Sequence, residues 1–156
     1  MVITKSQLKG GLLCCMIAGA FGASLLLPKW IRLNETEVAQ QVIEPVACDI
    51  KAGPCIGRQD DLAVQFSVNG DVIGSHQPLQ FNVEVEGLRP DGVRIDFEGV
   101  EMFMGLNRLV LDENSAGGFS GTRELPGHAY PMTWRARVLL EKDGALIEAG
   151  FEFELE

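Results

Sequence analysis

From Asp61 to the last residue the chain changes face at almost every step, and that alternation constrains its fold more than any other feature. Leu62, Val64, Phe66 and Val68 alternate with polar or small neighbours, and Asn69-Gly70-Asp71 then turns the chain. Leu79, Phe81, Val83 and Val85 are interleaved with Gln80, Asn82, Glu84 and Glu86. Val93, Ile95 and Phe97 repeat the pattern, and weaker runs follow at Leu109 to Leu111 and Phe119 to Leu125. Met132, Trp134, Ala136, Val138 and Leu140 form a long run. Lys142-Asp143-Gly144 is a hairpin signal, answered by Ile147, Ala149, Phe151, Phe153 and Leu155 against Glu148, Glu152, Glu154 and Glu156. A side-chain period of two belongs to strands with one buried face. No stretch after residue 47 reads as helix. The expectation is all-β: an immunoglobulin-like antiparallel sandwich of about seven strands over residues 48–156.

The amino-terminal part obeys a different rule. Gly10 to Leu27 is eighteen residues without a charge, which as a helix spans roughly 27 Å, close to the hydrocarbon thickness of a bilayer. Lys29 and Trp30 then stand where a snorkelling cation and an interfacial ring belong. Residues 10–31 therefore read as a single transmembrane helix ahead of the sandwich. A cleaved signal peptide is the alternative, with small residues at Ala18-Gly19-Ala20 and Ala20-Phe21-Gly22. Lys5 and Lys9 put residues 1–9 in the cytoplasm and the carboxy-terminal domain outside, at the inner membrane of a cell with a periplasm. Ala18, Gly19, Gly22 and Ala23 supply the small-xxx-small spacing that lets a second membrane helix approach. Residues 32–47 read as a linker or short helical stalk, since Asn34 and Glu37 form a capping pair before Pro45.

Charge narrows the partners. Residues 1–33 hold four basic side chains and no acid, leaving nine basic against 22 acidic in the remainder, a balance of −13. That field repels phosphate backbones, so no nucleic-acid partner is expected. Of the four cysteines, Cys14 and Cys15 lie in the apolar run, whereas Cys48 and Cys55 bracket a short loop with a Gly-Pro turn. In an oxidising compartment Cys48 and Cys55 are expected to form a disulfide.

The search for enzyme chemistry yields no nucleophile elbow, no HExxH and no phosphate loop, so no catalytic residues are assigned. The unusual stretch is Gly99-Val-Glu-Met-Phe-Met-Gly-Leu-Asn107, where Met102 and Met104 would share one side of an extended strand. His128, Met132 and Trp134 add an imidazole, a third thioether and an indole. Thioether and imidazole ligands select Cu(I), and an indole can shield such an ion. The same residues also fit plain packing, because methionine fills irregular cores, or a Met- and Phe-lined docking surface.

The Met-x-Met, His and Trp set resembles the ligands of the periplasmic copper/silver chaperone of the Cus efflux system. An anchor helix followed by a small exported domain is similar to FixH/YtkA-type accessory proteins of copper oxidase assembly. The resemblance implies a membrane-anchored accessory protein with Met102, Met104, Met132 and His128 as Cu(I) ligands and Trp134 beside them. The alternative is a non-catalytic interaction subunit that docks a membrane-protein partner through its sandwich and its anchor helix.

Overall fold

The computed structural model describes residues 39–70, 73–127 and 129–156. The expected anchor, its small-residue stripe and Cys14 and Cys15 lie outside the described residues. The described part is all-β, with nine strands and no helix. In chain order they are β1 Gln41–Ala47, β2 Cys55–Gln59, β3 Leu62–Asn69, β4 Leu79–Glu86, β5 Gly92–Gly99, β6 Asn107–Glu113, β7 Phe119–Arg123, β8 Met132–Lys142 and β9 Ala145–Leu155.

These strands form one hydrogen-bonded sheet in the order β1-β9-β8-β5-β6-β7-β4-β3-β2. The sheet curls until its ends approach, nearly closing into a barrel. Phe66 on β3 and Phe151 on β9 stand six strands apart in that order, yet their rings stack at 5.1 Å. Phe66 also meets Phe153 at 6.0 Å, and Phe81 meets Phe97 at 4.6 Å. The alternating residues of β3, β4, β5, β8 and β9 supply this core, with Trp134, Ala136, Val138 and Leu140 fully buried. Burial of apolar area, at roughly 25 cal/mol per Å², is the main term favouring the curl.

Three expectations need correction. The domain has nine strands in a single continuous sheet, where about seven in two sheets were expected. One pairing, β1 with β9, is parallel. The stretch expected as linker or stalk is strand from Gln41, so the β unit begins before Cys48. Pro45 hid that strand, because a proline normally argues against a ladder. Here it sits at a register shift between Ile43 and Val46, on an outer strand, packed against Gly150. A Cβ on Gly150 would lie 3.2 Å from the Pro45 ring, so the glycine leaves room for the proline on β1.

The disulfide Cys48–Cys55 is present, with Cα atoms 5.7 Å apart. It joins the end of β1 to the start of β2, the two outermost strands. At the other end of the domain Asp143 and Gly144 both take positive φ, 50° and 77°, the geometry that closes a two-residue hairpin between Lys142 and Ala145.

The outward face of β5, β6, β8 and β9 carries a ladder of ion pairs. Arg135 meets Glu152 at 2.6 Å, Arg137 bridges Glu148 at 2.7 Å and Glu98 at 2.8 Å, and Arg108 meets Asp96 at 2.7 Å. Each pair lies between adjacent strands, where opposite charges support the register. Glu148, and to a lesser degree Glu98, raises the pKa of the Arg137 guanidinium against the opposing effect of burial.

Candidate functional site

The two ends of the sheet differ in chemistry. The chain enters at Gln40–Gln41, beside Leu146 and Ile147 and next to the Asp143-Gly144 turn. The opposite pole gathers four connections, between β1 and β2, β3 and β4, β5 and β6, and β7 and β8, together with the carboxy terminus. β8, eleven residues long, runs between the poles, roughly 33 Å at about 3.3 Å per residue.

The Met-rich segment is the connection between β5 and β6 at this far pole. It is not an extended strand, so Met102 and Met104 do not share a strand face. β5 ends at Gly99, opposite Trp134, and the Val100 amide donates to Thr133 O at 2.9 Å. The chain then bends over the start of β8. Gly99 is the point of closest approach. A Cβ there would run into the Met102 carbonyl oxygen and would stand 2.9 Å from Met104 Cγ and 3.2 Å from Met132 Cε. Met104 and Met132 are thus brought together over Gly99, whereas Met102 is 46% exposed. Met132 and Trp134 share the buried face of β8.

Glu101 fixes the base of the loop. Both of its carboxylate oxygens accept from the Thr133 amide, at 3.1 and 3.2 Å. Hydrogen bonds from the Thr133 side chain, its own amide and the Thr133 amide hold the Glu101 carboxyl below the usual glutamate range. At the other end Asn107 Nδ2 donates to the carbonyls of Met104 and Gly105, at 3.0 and 3.4 Å. Arg123 reaches Asn107 Oδ1 at 3.3 Å and Arg108 O at 2.9 Å. Between these fixed ends Phe103 is 83% exposed and Leu106 93% exposed. Val100 and, from the connection between β7 and β8, Tyr130 are also exposed. Such apolar side chains held out into water are the unusual feature of this pole.

His128 lies outside the described residues. The other histidine, which sequence reasoning had assigned no role, stands at the same pole. His76 Nε2 accepts from the Gly127 amide at 3.1 Å, and its own amide donates to Leu125 O at 3.0 Å. Its φ of 56° is left-handed, so the backbone is shaped to bring the β3–β4 connection onto Gly127. A Gly-Ser-His-Gln-Pro run marks a turn, but nothing local says that this turn lands beside Gly127. Among the described residues, no three side chains of His, Cys, Asp and Glu converge where they could hold a metal ion.

No protein-family model, no curated protein and no solved structure matches the chain. The class defined here is therefore structural: an acidic, disulfide-stapled, nearly closed nine-stranded β domain with an apolar loop at one pole.

Proposed function

We propose that this is the non-catalytic interaction domain of a membrane-anchored accessory protein, exported across the inner membrane, which docks a membrane-protein partner through its far-pole loop. One observation carries the reading. Phe103 and Leu106 are almost fully exposed on a loop whose base is tied by Glu101, Asn107 and Arg123. A loop that only connected two strands would gain nothing from large apolar side chains in water. One that receives a partner gains rigid anchors of the kind that dominate interface energetics. Loops grouped at one end of a rigid β scaffold are suited to presenting contact residues. The test places a photo-crosslinking phenylalanine at position 103 of the full chain in its native membranes. A protein adduct absent when the same residue replaces exposed Ile56 on β2 is expected. Equal labelling at the two positions would end the reading.

The convergence of Met104 and Met132 over Gly99 favours a second reading, the Cu(I) site expected from the sequence. Met102 and His128 would complete it, with Trp134 buried beneath. An anaerobic Cu(I) competition against a chromophoric chelator tests it. Binding that is lost in Met104→Leu/Met132→Leu supports the site, and an unperturbed chelator spectrum retires it.

A further inference from the structure

We infer that the partner is a protein presenting an apolar cleft with a basic rim, and that the Phe103–Leu106 tip enters the cleft while carboxylates around it meet the rim. This rests on the docking reading above and names the chemistry of its partner. The tip is exposed and uncharged. Residues 102–106 hold no ionisable side chain, and the nearest, Glu101, is turned back onto Thr133. The surroundings are acidic. Residues 100–106 and 124–131 contain two carboxylates, Glu101 and Glu124, and no lysine or arginine. Glu154 stands exposed opposite Thr133 in the β8–β9 register. Arg123, just before the second segment, donates to Asn107 and to the Arg108 carbonyl, Arg108, just after the first, is paired with Asp96 at 2.7 Å, and Lys51 is paired with Glu156 at 3.5 Å.

Charge decides between occupants. The net negative surface of an anionic bilayer would repel this acid rim. A second copy of the chain would bring the same acids. A cleft lined with apolar side chains and edged by lysine or arginine matches both the tip and its rim.

The experiment uses the full chain carrying the photo-crosslinker at position 103, in native membranes. Adduct yield is followed from low to high salt and in Glu154→Lys and Glu124→Lys variants, with Glu154→Gln as the milder change. The expected result is a protein adduct whose yield falls at least about fivefold at high salt and in both charge reversals, because rim attraction is screened and reversed. The mapped partner residues should lie in an apolar cleft flanked by lysine or arginine. A protein adduct indifferent to salt and to all three variants would overturn the basic rim while leaving docking intact. Adducts to lipid or to a second copy of the chain overturn the proposed partner. Labelling no stronger than at Ile56 removes both inferences together. Circular dichroism of each variant separates a docking defect from misfolding.

Discussion

The Glu101 carboxylate reaches from the loop after β5 to the Thr133 amide at the start of β8, accepting it through both oxygens at 3.1 and 3.2 Å. The bond closes a Met- and Phe-bearing loop onto the sheet. It thereby positions the exposed tip without contributing to the core.

Its pH behaviour follows from that geometry. Thr133 and the Glu101 amide hold the folded-state pKa below the ordinary value, so the fold favours the ionised carboxylate. The resulting stabilisation is complete above the usual glutamate range and is lost as pH falls through the lowered folded value. In an NMR titration from about pH 6 to pH 2, the Thr133 amide resonance should move with an acid midpoint, and exchange in residues 100–106 should rise. Glu101→Gln should abolish the midpoint. An unchanged Thr133 resonance through the acid range would show that the contact is absent in solution.

Gly99 is the second fixed point of the loop. Alanine there would drive a methyl group into the Met102 carbonyl, a backbone atom that cannot swing aside, and against Met104 and Met132. Gly99→Ala should destabilise the domain by about 1–3 kcal/mol, as overpacking does. Urea unfolding monitored through buried Trp134 measures it, and a shift of the midpoint with an unchanged slope is the expected form.

Arg137 is the hub of the outward ion-pair ladder. Glu148, only 15% exposed, faces it at 2.7 Å, and Glu98 approaches from the other side. Arg137→Ala would leave a mostly buried carboxylate without its partner and should cost about 1–3 kcal/mol. Arg137→Ala/Glu148→Ala should recover part of that loss. A strictly additive double-mutant cycle would mean that the pair contributes no coupling in solution.

Reducing the Cys48–Cys55 bridge releases the seam between the two outermost strands. Chain-entropy reasoning for so short a loop gives a loss of about 2–3 kcal/mol. Hydrogen exchange after reduction should quicken first in β1 and β2, while β5 and β8, each paired on both sides within the sheet, stay protected. Uniform acceleration across all strands would contradict this order.

Docking and stability should separate at the tip. Phe103→Ser and Leu106→Ser remove side chains that water already surrounds. Their melting temperatures should therefore stay within a degree or two of the parent, in keeping with changes of roughly 0.5 kcal/mol or less at exposed positions. A marked drop in melting temperature would show that these side chains serve the fold itself.

The sequence by itself determined the local periods. Alternation in β3, β4, β5, β8 and β9, the Asp143-Gly144 turn and the short Cys48–Cys55 loop were all legible, because each depends on residues a few positions apart. Only the tertiary structure decided the rest. β1 and β2 show no alternation to read. Ile43 is the one buried residue of β1, Pro45 interrupts it, and β2 turns Gly57 inward against Ile43 and Phe151. They are strands because β9, β3 and the curl of the sheet supply partners from far along the chain. Met102 and Met104 looked like alternate residues of a strand, but the crowding at Gly99 and the left-handed Gly105, with φ of 82°, bend the chain between β5 and β6. Met104 is thereby placed over Met132, and Phe103 and Leu106 are left in water. That divergence is a long-range packing outcome, which no spacing along the chain encodes.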